Sequence, residues 1–154
     1  MKASPKFGWT LVTMFALAMF GSSLASADDV DTSSATCPVS GKDVNSEKSA
    51  SHHGGKVFFC CGNCLKAYAK NPDNFATKAN QQLVVTGQAL QSGCPISGNK
   101  TKADTATKIG GIDISFCCKG CLGRVNKSSG DDQLELVFGP DPFEKGFTVG
   151  DQKE

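Results

Sequence analysis

The sequence predicts a small α+β protein made of two tandem modules, each a cysteine-bearing turn, a β-hairpin and a helix. Three observations carry this. Eight cysteines stand in a chain of 154 residues. The first four map onto the last four in a single register, Cys37 on Cys94, Cys60 on Cys117, Cys61 on Cys118 and Cys64 on Cys121. Each set also sits in the same local text. Cys37-Pro38-Val39-Ser40-Gly41 is followed by Phe59-Cys60-Cys61-Gly62-Asn63-Cys64-Leu65, and Cys94-Pro95-Ile96-Ser97-Gly98 by Phe116-Cys117-Cys118-Lys119-Gly120-Cys121-Leu122. A fixed-period repeat of this kind marks a duplicated structural unit.

The first residues read as an address rather than as fold. Lys2 and Lys6 make a positive start to the chain. The apolar stretch Trp9–Phe20 that follows is too short to span a bilayer comfortably. Ala25-Ser26-Ala27 then supplies a small-residue cleavage site, so residues 1–27 are expected to be a signal peptide. Its removal takes two lysines and no acid, moving the net charge from +1 to −1. All eight cysteines remain, in a periplasmic or secreted protein whose surroundings oxidise unprotected thiols.

Residues 28–36 (DDVDTSSAT) are polar and aperiodic and are expected to form a disordered lead-in. The first module then runs over 37–86 and the second over 94–149, with 86–93 as the connection. In Cys-Pro-x-Ser-Gly the proline fixes φ and the glycine accepts positive φ, which is the composition of a tight turn. Gly54-Gly55 and Gly110-Gly111 suit hairpin turns. Val57–Cys60 and Ile112–Cys117 are short β-leaning runs. Cys61 to about Lys70 has helical spacing, with Leu65, Tyr68 and Ala69 apolar, and Asn71-Pro72 ends it. Pro72 opens a further helix with Phe75, Ala79 and Leu83 on one face. Cys118 to about Lys127 repeats the first helix. Gln133–Phe138 (QLELVF) reads as either strand or helix, and its alternation leans to a strand. The tail from Gly150 is charged and expected to fray.

Composition narrows the function. Hydrophobic residues make up 39% of the chain and charged residues 20%. That balance excludes a disordered polyelectrolyte and a multi-span membrane protein. A near-zero net charge gives no electrostatic case for nucleic acid or for a membrane surface after signal cleavage. Two histidines exclude a His-rich metal site. No catalytic constellation or phosphate loop stands out, so a non-enzymatic role is expected. The chemistry-bearing residues are the cysteines.

In each module one cysteine stands in a turn and three cluster where a strand meets a helix. Cys60 and Cys64 are four apart and Cys61 and Cys64 three apart, spacings that place sulfurs on one side of a first helical turn. The backbone N–H groups there favour thiolate, the form a metal needs. A turn cysteine facing helix-start cysteines is the layout of treble-clef-like zinc sites. A bound ion would also supply folding energy that so small a module is short of. The candidate ligands are therefore Cys37, Cys60, Cys61 and Cys64, and Cys94, Cys117, Cys118 and Cys121. Zinc is the first candidate and copper the alternative.

The run from Cys37 to the later Cys60-x-x-x-Cys64, repeated as Cys94, Cys117 and Cys121, resembles the TRASH/YHS superfamily of small metal-binding domains. Phe59, Cys60, Cys64, Leu65, Tyr68, Asn71 and Pro72 are similar to the YHS run in particular. The resemblance covers roughly 37–80 and 94–130 and implies metal sensing, handling or trafficking. It also implies that Cys37, Cys60 and Cys64, with Cys94, Cys117 and Cys121, are ligands. The Tyr-His-Ser triplet is absent, and Cys61 and Cys118 are additional to the three-cysteine pattern. A fourth ligand is open between Cys61 and Cys118, water, and His52 or His53. The histidines could serve only the first module, because Ile109 and Gly110 stand at the matching positions. Three sulfurs alone suit Cu(I), whereas zinc needs a further donor.

Two other readings compete. An even cysteine count in a secreted chain fits a disulfide-stapled interaction protein. Cys61-Gly62-Asn63-Cys64 and Cys118-Lys119-Gly120-Cys121 at helix starts also fit a thiol–disulfide redox protein.

Overall fold

The structure, a computed structural model, describes residues 30–150. The expected signal peptide and the end of the charged tail lie outside them. Each Cys-Pro-x-Ser-Gly segment closes as a tight turn. The Cys37 N–H donates to the Lys42 carbonyl at 2.8 Å and the Gly41 N–H to the Cys37 carbonyl at 2.8 Å. Cys94 and Gly98 repeat this pattern with the carbonyls of Asn99 and Cys94 at 2.8 and 2.7 Å. The lead-in is tied down at its end, where Ala35 is buried and Thr36 bridges to Asp43.

Antiparallel hairpins follow both turns. β1 (Asn45–His52) pairs with β2 (Gly55–Phe59), and β4 (Lys102–Ile109) with β5 (Ile112–Phe116). The second hairpin turns at Gly110-Gly111 as expected, with φ of 56° and 88°. The first turns one residue earlier than expected, at His53-Gly54, with φ of 48° and 89°. Both central residues of such a turn need positive φ. Gly55 serves a different need, because a Cβ there would stand 2.8 Å from Leu83 Cδ2.

Helix α1 (Gly62–Lys70) follows β2 and stops at Asn71-Pro72, where a single 3-10 turn leads into α2 (Ala76–Val85). Ala79 and Leu83 of α2 are fully buried, as their spacing predicts. In the second module α3 (Lys119–Asn126) repeats α1. The strand expected over Gln133–Phe138 is instead the end of helix α4 (Gly130–Phe138). Leu134, Val137 and Phe138 share one face at helical spacing. Asp131 and Asp132 in the first turn favour the positive end of the helix dipole. Two further elements close the described chain, α5 (Pro140–Gly146) and β6 (Phe147–Val149).

The two modules share one core. The segment expected as a plain connection contains β3 (Ala89–Gln91), which pairs antiparallel with β6 about a central Leu90↔Thr148 pair. The last strand of each module thus zips to that of the other. Helix α2 packs on α4, and the His53 ring of the first hairpin tip lies 5.6 Å from that of Phe143 in α5. One cluster joins Val57, Phe59, Leu83, Phe116, Phe138 and Phe147.

Glutamines finish the open strand edges. Gln88 exchanges hydrogen bonds with the backbone of Lys56 at 2.7 and 2.7 Å, and Gln91 with that of Ser115 at 3.0 and 2.6 Å. Gln82, buried, does the same for Phe58 at 2.6 and 2.9 Å. These side chains stand where a further strand would add, which satisfies and blocks the edges. Among the described residues, no helix is long and apolar enough to cross a membrane.

Candidate metal centres

Phe59 and Phe116 end the return strands of the hairpins with no exposed surface, and each delivers the next residue, Cys60 or Cys117, to the base of a helix. The tight turn brings Cys37 or Cys94 to the same place from the other side. The sulfurs of Cys37, Cys60 and Cys64 all lie within 4.8 Å of one another, and so do those of Cys94, Cys117 and Cys121. Cys60 and Cys64 are 3.5 Å apart and Cys117 and Cys121 3.6 Å. Zinc–sulfur bonds of about 2.3 Å put tetrahedral corners roughly 3.8 Å apart, so each set is already near the spacing an ion would impose. The donor set fits a thiophilic ion.

The other candidates are placed differently. Cys61 and Cys118 are exposed and stand outside the mutually close sets, although Cys61 Sγ reaches within 3.7 Å of Cys60 Sγ. His52 has both ring nitrogens engaged, Nε2 with Asn80 Oδ1 and Nδ1 with the Tyr68 hydroxyl, each at 2.8 Å. His53 sits at the hairpin tip. Neither histidine belongs to a cluster. All eight cysteines are free thiols, with no sulfur pair at bonding distance.

Two serines complete the arrangement and are not singled out by sequence. Ser40 Oγ lies 3.2 Å from Cys60 Sγ, and Ser97 Oγ 3.2 Å from Cys117 Sγ. The one sequence signal for them is their place in the repeated Cys-Pro-x-Ser-Gly text.

The protons are unevenly shared. Burial pushes the Cys37 thiol up, but the Ser40 hydroxyl and the backbone N–H groups of Cys60, Ser40 and Val39 outweigh it and bring it down to about 7. At Cys94 burial is again outweighed, by the Cys117 N–H, the Ser97 hydroxyl and the N–H groups of Ile96 and Ser97, with the same result of about 7. The Cys60 sulfur, burial, and the sulfurs of Cys61 and Cys37 drive Cys64 up to about 12. Burial, the sulfurs of Cys117 and Cys118, and the charge on Cys94 do so for Cys121. In each cluster the turn cysteine is thus the one favoured as thiolate and the second helix cysteine the one that keeps its proton, and a cation can replace that proton. At the rim, the Cys64 N–H and then the Cys60 thiol hold the Cys61 thiol below its usual range. The Cys121 N–H and then the Cys121 thiol act alike on Cys118.

Comparison with models of protein families, with curated proteins and with solved structures finds no match to this chain.

Proposed function

We propose that this is an exported, non-catalytic carrier of a thiophilic metal ion. It takes one ion per module, through Cys37, Cys60 and Cys64 and through Cys94, Cys117 and Cys121. The observation that carries this reading is the pair of three-sulfur clusters, each assembled from a buried turn cysteine and two helix-start cysteines at coordination spacing. The likeness to TRASH/YHS domains belongs to the same reading.

The shared core favours cargo over a structural ion. A lone module of this size would need a staple, but two modules joined through α2, α4, β3 and β6 bury a common set of aromatic residues without one. Among the described residues, each set of three sulfurs gathers no histidine or carboxylate, which suits trigonal Cu(I). Zinc would complete its shell with water or with a rim cysteine. Elemental analysis of protein isolated under non-reducing conditions from the export compartment should find about two Cu or Zn per chain, one for each cluster. Protein without metal and without free thiols would end this reading.

One observation favours a second reading, thiol–disulfide exchange at Cys61/Cys64 and Cys118/Cys121. In each pair the exposed thiol is shifted down and its partner is pushed up to about 12, the division of labour of an attacking and a resolving cysteine. An insulin-reduction assay tests it directly, and activity there with no bound metal would make it the better account.

A further inference from the structure

Cys61 and Cys118 are not explained by a three-cysteine site. We propose that they are exchange ligands, rim thiolates that receive the ion from, or pass it to, a cysteine of a partner protein, and that stay out of the resting ligand set. The proposal rests on the metal-carrier reading above.

Backbone geometry separates the adjacent cysteines. Cys61 is the N-cap of α1 with φ −160° and ψ 167°, and Cys118 that of α3 with φ −160° and ψ 164°. In extended backbone successive side chains point to opposite sides. Cys60 and Cys117 therefore face the turn cysteine, and Cys61 and Cys118 face solvent. The outward sulfur is still near the site, since Cys61 Sγ is 3.7 Å from Cys60 Sγ. A thiolate at that distance can share an ion with the cluster and also with an incoming group.

Both modules keep this placement although the intervening pair has changed from Gly62-Asn63 to Lys119-Gly120. The approach is open. A Cβ at Gly62 would meet nothing within 4 Å. The first turns of α1 and α3 carry no acid, and exposed Lys119 opens α3 beside Cys118. That rim suits a partner segment presenting thiolates in an anionic setting.

The exchange involves no electron transfer. A bond from the ion to the Cys61 thiolate forms as one bond to a partner thiolate breaks. Cys60 then displaces the next partner thiolate, and the bond to Cys61 breaks as the turn cysteine and Cys64 complete the set, leaving Cys61 free again. An entering cysteine that is protonated gives its proton to solvent, and a departing thiolate is free to take one up.

The test uses the full mature chain and a Cys61→Ser/Cys118→Ser variant. Serine is a favoured N-cap residue, so the helices are retained. Both proteins are loaded anaerobically with Cu(I), and transfer to a peptide carrying a Cys-x-x-Cys dithiol is followed by stopped flow. The expected result is an unchanged amount of ion bound at equilibrium, affinity within about threefold, and transfer slower by about tenfold or more, because the rim thiolate that holds the ion between cluster and peptide is gone. In the loaded wild type, iodoacetamide should label Cys61 and Cys118 and spare the other six. Equal transfer rates would overturn the proposal. So would protection of Cys61 and Cys118 with a large loss of affinity in the variant, which would make them permanent fourth ligands. If wild-type protein takes up no ion, the carrier reading falls first and this one with it.

Discussion

Nε2 of His52 lies 2.8 Å from Oδ1 of Asn80, and the positions equivalent to these two residues in the second module are Ile109 and Val137. The substitution extends further. Tyr68, whose hydroxyl meets His52 Nδ1 at 2.8 Å, is matched by Val125. Ile109, Val125 and Val137 are all fully buried, so the second module fills with apolar side chains the place where the first holds a polar chain. That chain ends across the module boundary, where Asn80 Nδ2 donates to the Phe138 carbonyl at 2.8 Å. The donation leaves Oδ1 as acceptor, so His52 carries its proton on Nε2 and accepts the Tyr68 hydroxyl at Nδ1.

Stability should therefore fall on mild acidification. Burial holds His52 below its ordinary 6.5, aided by His53 and opposed by the Asn80 hydrogen bond. A histidine depressed in the folded state takes up its proton more readily when unfolded. Its contribution is present above pH 6.5 and is lost as pH falls through the lower folded value. The melting temperature should drop between about pH 7 and pH 5. A His52→Ile/Tyr68→Val/Asn80→Val variant, which installs the second module's residues, should flatten that slope. Asn80→Ala alone should cost about 1–3 kcal/mol by orphaning His52 and the Phe138 carbonyl. Thermal melts across this range check both, and an unchanged slope in the triple variant would remove His52 as the cause.

The metal-free clusters should titrate in a different window. With Cys37 and Cys94 at about 7, one buried thiol in each cluster should ionise near neutrality in reduced protein, visible as thiolate ultraviolet absorbance. Both are depressed from 9.0, so their contribution to stability is present above pH 9 and is lost as pH falls through 7. Cys64 and Cys121, raised to about 12, act with the opposite sign, contributing below pH 9 and losing that contribution as pH rises through 12. Ser40→Ala should raise the midpoint of the first module and leave that of the second in place, because the Ser40 hydroxyl favours the Cys37 thiolate. Equal shifts in both modules would contradict this assignment.

Removing metal should leave the chain folded. A chelator or Cys37→Ser should abolish uptake at the first centre, yet far-ultraviolet circular dichroism should still show one cooperative melt. Cys37 and Cys94 belong to the core, but most of it is the apolar set of Val57, Phe59, Leu83, Phe116, Phe138 and Phe147 shared by the two modules. The substitution should cost about 1–3 kcal/mol from the altered buried group and its hydrogen bonds. Loss of all cooperative structure in the first module would instead make the ion structural.

Local patterns are legible where a residue's role depends on its near neighbours. The paired turns, the hairpins and α1 and α3 follow from Pro, Gly and Cys placement at short range. Gln133–Phe138 reads as a strand because Leu134, Leu136 and Phe138 alternate. The helical set of Leu134, Val137 and Phe138 prevails because α2 lies against it. Strands β3 and β6 are too short to carry a signal of their own and exist through pairing between the two modules. The cysteine clusters can be proposed from spacing. The division into three inward sulfurs and one outward depends on extended backbone at Cys61 and Cys118, which composition does not encode.

The pairing of β3 with β6 also bears on whether either module can stand alone. Residues 30–93 would lose Phe138, Phe143, Phe147 and Val149, exposing Leu83 and the edge at Gly55, which lies against Leu83, Gln88 and Val149. Residues 94–150 would lose α2, and with it the cover over Leu134 and Gly110, and β3, the partner of β6. Each half is of the size at which a core is marginal, and it would also lose the aromatic face that completes it. Separately produced halves without metal should therefore lack a cooperative thermal transition, and mixing them should restore one as α2 meets α4 and the two last strands pair. Excess metal should rescue an isolated half only in part, since the ion organises the turn and helix start and not the missing aromatic face. A cooperative melt of metal-free 30–93 alone would show that the shared core is dispensable and would restore the case for a structural ion.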